Sequence, residues 1–199
     1  IIPLPDALDY ETAAASVIGL GTAWHMTVSL GDVKADKTVL VNAAGSVVGS
    51  CAIQVAKLHG ARVIATAGSD AKLDMAKEIG ADEVINYTSQ SIREEVARMT
   101  NKRGVDLVIE SVGGDVLAQS IDAVALNGRL ITCGAHGGET VPINIIELFR
   151  KHMMVHGSHL AGRREIMHVL GLAAAGRLKP IIHKVFPLAE VQAAARKTA

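Results

Sequence analysis

Residues 38–67 read TVLVNAAGSVVGSCAIQVAKLHGARVIATA, which is a β-branched apolar run, a turn of small residues, an amphipathic stretch and a second apolar run. Val39, Leu40 and Val41 make the short apolar run that belongs in the middle of a parallel sheet, covered on both faces. Ala43, Ala44, Gly45 and Ser46 then turn the chain with almost no side-chain bulk. A pyrophosphate can therefore approach bare backbone N–H groups at Val47 and Val48, where the next helix starts and its dipole favours an anion. Gly49, one turn into that helix, lets it lie close against the strand, as the last glycine of a dinucleotide fingerprint does. Against G-x-G-x-x-G the positions are Ala44, Ser46 and Gly49, so only the last glycine is literal. The pattern has weight only in its strand, turn and helix setting.

That setting extends along the chain. Apolar strand patterns at 38–42, 62–66, 83–86, 105–110, 129–133 and 152–157 alternate with helical patterns at 46–58, 70–79, 91–99, 115–124 and 144–150. Such alternation predicts an α/β fold: a Rossmann-type, doubly wound parallel sheet of about six strands with helices on both faces. Gly60, Gly80, Gly104 and Gly128 stand before strands, where helix C-caps are wanted.

Composition sets limits. With 199 residues the chain can bury a sizeable core. Its formal net charge is zero, with both signs dispersed, so nothing marks a nucleic-acid partner or an anionic membrane surface. No purely apolar run approaches the roughly 20 residues that span a bilayer. Cys51 and Cys133 have no disulfide spacing and point to a reducing, cytoplasmic setting.

The segments AAASVIGLGTAWHM, AAGSVVGSCAIQVAKLHGARVIATAGSDAKLDMAKEIGADEVINY, ESVGG, NGRLITCGAHGG and GRLKPIIHKVFPLAEVQAA, in this order, resemble the medium-chain dehydrogenase/reductases. Within them the resemblance is to the quinone-oxidoreductase and alcohol-dehydrogenase-like branch. Val47 stands where that family commonly has glycine. The resemblance implies that residues 38–175 are the cofactor-binding domain. Residues 1–37 would be a linker with leading helices from a catalytic domain, and 176–199 the start of the return to it. Family members carry an N-terminal, mostly β, GroES-like domain that supplies most catalytic groups, and nothing in this chain resembles it, so a fragment with little turnover of its own is expected. The resemblance also implies a homodimer through the edge strand near 151–157. The alternative reading of that edge is a monomer protected by Lys151 and His152.

Cofactor choice is read at the end of the second strand. An NAD site usually places Asp or Glu there for the ribose 2′-OH; here the residues are Ala67, Gly68, Ser69 and Asp70. The missing carboxylate removes repulsion toward a 2′-phosphate, to which Ser69 can donate and Lys72 can bring a positive charge. The family resemblance adds Gly68, Lys72 and Tyr87 as a 2′-phosphate grip, which favours NADP(H) with NAD(H) as the alternative. In the competing reading Ser69 or Asp70 caps a helix, Lys72 is solvated and Tyr87 packs. The resemblance places Thr22, Val112, Gly113, Gly134, Ala135, His136 and Gly137 along the nicotinamide. For Thr22 the other reading is a helix-initiating hydroxyl, and for the glycine pairs it is a plain turn.

His136, His152, His156 and His159 invite a metal, but no thiolate or carboxylate accompanies them in sequence. In zinc-type relatives a ligand comes from the segment that here reads Val17, Ile18, Gly19, Leu20 and Gly21. None of these binds zinc, so no catalytic zinc is expected. The sequence names no catalytic acid or base. The functional expectation is hydride transfer between NADP(H) and a small-molecule quinone, carbonyl, alcohol or activated alkene. The alternatives are a non-catalytic NADPH-binding or sensing module and a methyltransferase, against which Ala67 argues.

Overall fold

The computed structural model describes residues 2–198. Six strands form one all-parallel sheet: β1 (Thr38–Val41), β2 (Arg62–Ala67), β3 (Glu83–Asn86), β4 (Val105–Glu110), β5 (Val124–Thr132) and β6 (Met154–Gly157). Their spatial order is β3-β2-β1-β4-β5-β6, so the strand order reverses between β1 and β4. This is the doubly wound Rossmann order, and ligands bind such sheets at the carboxyl ends beside the reversal.

Period-two alternation along the strands divides the core. Val39, Val41, Val63, Ala65, Leu107, Ile109 and Ile131 pack on one face with residues of α1 (Tyr10–Trp24), α2 (Val47–Leu58), α3 (Asp70–Glu78) and α7 (Arg163–Ala174). Leu40, Ile64, Ile85, Val108 and Leu130 pack on the other with residues of α4 (Ile92–Met99) and α5 (Gly114–Ala123). The short α6 (Ile145–Arg150) adds Leu148 to that second face. Being covered on both sides is what makes the strands read as unbroken apolar runs.

Asp9 starts α1 by accepting the Thr12 N–H at 2.7 Å. The helix continues into a π-helical turn, His25–Leu30, whose His25 and Ser29 both hydrogen-bond the Glu165 carboxylate. Burial pushes that carboxyl up, but Ser29, His25 and the Gly162 N–H outweigh it and hold it below its usual range. Trp24 meets the His59 and His168 rings edge-on, with centroids 5.3 and 4.5 Å apart, and so ties α1 to α2 and α7. Residues 10–30 are thus a 21-residue helical stretch long and apolar enough to cross a bilayer, which the run-length reading missed. Half of it is buried in the core, and that burial accounts for its apolar character.

Most expected boundaries shift by no more than one residue. Gly60 (φ 78°) and Gly80 (φ 112°) follow the C-caps of α2 and α3 as expected. The chain leaves α4 through Asn101 and Lys102 at φ 49° and 65°, and Gly104 (φ 85°) comes only just before β4. Gly128 is not a helix cap. It lies inside β5, which begins at Val124 and not at 129, and Asn127 (φ 61°) carries the left-handed turn. Gly128 is needed for space, because a Cβ there would stand 2.5 Å from Val124 Cγ1.

β6 lies at the sheet edge as expected, yet starts at Met154. Lys151 caps α6 and donates from Nζ to the Asp122 carbonyl at 2.8 Å, and His152 turns the chain at φ 49°. Neither is a charge on the edge strand. Three helical pieces, α7, a 3-10 turn (Leu188–Glu190) and α8 (Val191–Thr198), had no counterpart in the sequence reading.

Candidate functional site

The β1–α2 turn is built from the inside out. Asn42 is buried at its base, where its Oδ1 accepts the Thr66 hydroxyl at 3.0 Å and its Nδ2 donates to Ser120 Oγ at 2.8 Å. One side chain thereby links β1, β2 and α5. Ala43 follows at φ 51°, a left-handed conformation that a non-glycine residue seldom adopts. The Ala44 N–H is committed to the Thr66 carbonyl at 2.8 Å. Ser46 caps α2, accepting the Gly49 N–H at 3.0 Å.

Gly49 stands where any side chain would overlap the Ala43 carbonyl oxygen and come within 2.8 Å of its carbon. Among the described residues, the N–H groups of Gly45, Val47 and Val48 have no protein acceptor. Open donors at a helix N-terminus suit a pyrophosphate, and Gly45 adds no side chain of its own beneath Lys72. Ala44 contributes its small side chain and not its amide.

The turn opens into a cleft of about 440 Å³ lined by Ser46, Val47, Val48, Tyr87, Ser111, Val112, Cys133, Gly134 and His136, among others. These residues come from the carboxyl ends of β1, β3, β4 and β5. A neighbouring hollow of about 520 Å³ shares Cys133 and Gly134 and adds Ala135, Ser158 and His159. A third recess, of about 140 Å³, is lined by Gly45, Ser46, Ala67, Gly68, Lys72 and Tyr87. The structure thus gathers the expected phosphate-gripping residues into one place. Ser69 borders them as the N-cap of α3, although its side chain makes no cap hydrogen bond.

Thr22 is buried near the end of α1 and is not among the residues lining these three hollows; Asp9, not Thr22, initiates the helix.

Two features escaped the sequence reading. Glu110, fully buried at the end of β4, accepts from the Val112 and Gly113 N–H groups at 2.6 and 3.0 Å and from the Thr132 hydroxyl at 3.2 Å. It shapes the ESVGG turn, in which a Cβ on Gly113 (φ 77°) would overlap the Gly138 carbonyl. An acidic residue ending an apolar strand just before a glycine pair was the available signal. The second feature is Asn42. Burial, and then the Glu110 charge, push the Cys133 thiol up, while burial pushes Cys51 up to about 12. Neither is an activated nucleophile.

Residues 47–175 match the family model described as zinc-binding dehydrogenase. The chain belongs to that family. It lies in the medium-chain dehydrogenase/reductase superfamily, in the branch of quinone oxidoreductases and alcohol dehydrogenases. Quinone oxidoreductase-like protein 2 of Bos taurus is 32% identical over 200 residues, covering 94% of this chain and 57% of the relative. A solved NAD-dependent alcohol dehydrogenase is 40% identical with a TM-score of 0.91, covering 98% of this chain and 57% of the other. The 2-octenoyl-CoA carboxylase reductase CINF, solved in complex with NADP and 2-octenoyl-CoA, is 29% identical with a TM-score of 0.90, covering 99% and 48%. The chain therefore spans about half the length of these relatives. Zinc figures in the family's description, but no group of three or more His, Cys, Asp or Glu among the described residues could hold a metal.

If the β1–α2 turn is the phosphate site, Gly49→Ala must displace it. Nicotinamide dinucleotide affinity should fall at least about tenfold, with a loss of about 1–3 kcal/mol in stability from overpacking. Fluorescence titration and urea unfolding measure the two effects.

Proposed function

We propose that this chain is the cofactor-binding part of an NADP(H)-dependent oxidoreductase acting on a small-molecule quinone, carbonyl, alcohol or activated alkene. The observation that carries the reading is the recess beneath Tyr87. At the end of β2, where an NAD site would present a carboxylate, Ala67 and Gly68 leave space, and Lys72 lies across Gly45. Among the described residues Lys72 forms no ion pair, so its charge is available to a 2′-phosphate.

When bound, the nicotinamide supplies hydride at C4. The residues of this chain bind and orient it. The free amides of Gly45, Val47 and Val48 would hold the pyrophosphate, with Val48, Val112, Gly134 and His136 walling the nicotinamide end. The reading needs no zinc and places the chain in the cytoplasm.

The reading includes a homodimer. β6 leaves an unpaired edge, and Ile145, Ile146, Phe149, Val155 and Leu160 are exposed apolar residues beside it. Pairing two such edges about a two-fold axis would satisfy both. Sedimentation at micromolar concentration should give a dimer that Val155→Pro converts to monomer; a wild-type monomer would contradict it.

Lys72→Ala should weaken NADPH by about 1–3 kcal/mol while leaving NADH within about twofold, as loss of one charge-assisted hydrogen bond requires. Nicotinamide fluorescence titration reads both. Equal losses for the two dinucleotides would remove the 2′-phosphate assignment.

A further inference from the structure

Asp70 stands against the NADP(H) reading. It opens α3, two residues before Lys72 and next to the recess that would take a 2′-phosphate, so its charge would repel that group. The structure shows where the charge goes. Asp70 Oδ1 accepts from Asn86 Nδ2 at 2.9 Å, and Asp70 does not line the recess.

Asn86 is the last residue of β3, in register with Ala67 of β2, and Tyr87 follows it. Successive strand side chains point to opposite faces. Tyr87 packs with the core cluster on the α4 and α5 face, so Asn86 lies on the α3 face. Its amide is fixed in orientation, because Oδ1 accepts the Thr88 hydroxyl at 2.6 Å and the Thr88 N–H at 3.1 Å. That leaves only Nδ2 to meet the Asp70 carboxylate. The Gln90 side chain braces the same turn by accepting the Asn86 N–H at 2.9 Å.

We infer that Asn86 is a positioning residue for cofactor specificity, holding the Asp70 carboxylate on the α3 face so that the Gly68, Lys72 and Tyr87 recess stays open to a 2′-phosphate. The inference rests on the NADP(H) reading and assigns its selectivity to a residue that need not touch the cofactor. A carboxylate released from Asn86 could swing toward Lys72 and neutralise it. The dinucleotide that carries the extra phosphate would then lose affinity, and the one that lacks it would not.

The test is a double-mutant cycle read as the ratio of NADPH to NADH affinity by nicotinamide fluorescence, a ratio that a general loss of stability does not move. Asn86→Ala should lower the ratio roughly three- to tenfold at low salt, and less at high salt. Asp70→Asn should leave it near the wild-type value, and adding Asp70→Asn to Asn86→Ala should restore it. Asn86→Ser, which is too short to reach Asp70, should behave as Asn86→Ala and serves if the alanine variant folds poorly. A wild-type preference for NADPH that survives both Asn86 variants, or that falls equally when Asp70 is already Asn, overturns the proposal and leaves the NADP(H) reading standing. A wild-type chain that binds both dinucleotides equally overturns that reading and this proposal with it.

Discussion

The structure depends on how closely α2 approaches the end of β1. Nothing larger than hydrogen fits at position 49, because the Ala43 carbonyl fills the space a side chain would take. Accepting that constraint brings the N-terminus of α2 to the carboxyl edge of the sheet, at the point where the strand order reverses. The same closeness forces Ala43 to φ 51°, a strained value that persists only where the surroundings determine it. Here they do. The Ala44 amide is tied to β2, and Asn42 bridges Thr66 and Ser120 below the turn. Losing the Asn42 amide would leave the buried Thr66 hydroxyl unsatisfied, at a cost of about 1–3 kcal/mol, whereas Ser120 would still donate to the Val116 carbonyl.

The opposite wall of the cleft is organised by a different device. Glu110 is a fully buried carboxylate that gathers two backbone amides and a hydroxyl and thereby folds the ESVGG turn against the Gly137 and Gly138 segment. Charge-assisted bonds of this kind offset the cost of removing a carboxylate from water. Internal hydrogen bonding therefore sets both walls of the cleft. Walls fixed in this way suit the proposed role of holding and orienting a nicotinamide cofactor.

Much of this was legible because the fold rests on short-range patterns. Buried parallel strands show as apolar runs, small residues mark the phosphate turn, and both survive in one sequence without reference to distant contacts. What escaped depends on partners far along the chain. Ala43 looks like any small turn residue until its neighbours from β2 are in place. Glu110 reads as a strand-end carboxylate until Thr132 arrives from β5. α7 was missed because only Val169, Leu170 and Ala173 are buried along it, a weak stripe, although Glu165 accepting the Gly162 N–H at 2.6 Å is a start signal that could have been read. Gly128 misled because a glycine before a strand pattern looks like a cap, and the crowding that requires it comes from Val124 and Ala125.

The central claim is that the amides opening α2 receive the cofactor's phosphates. Backbone amide chemical shifts recorded during titration with NADPH test it most directly. The account predicts that Gly45, Val47 and Val48 shift most strongly, with Gly68 and Tyr87 following and the N-terminal ends of the strands unmoved. Saturable binding that leaves Gly45, Val47 and Val48 unperturbed would contradict it.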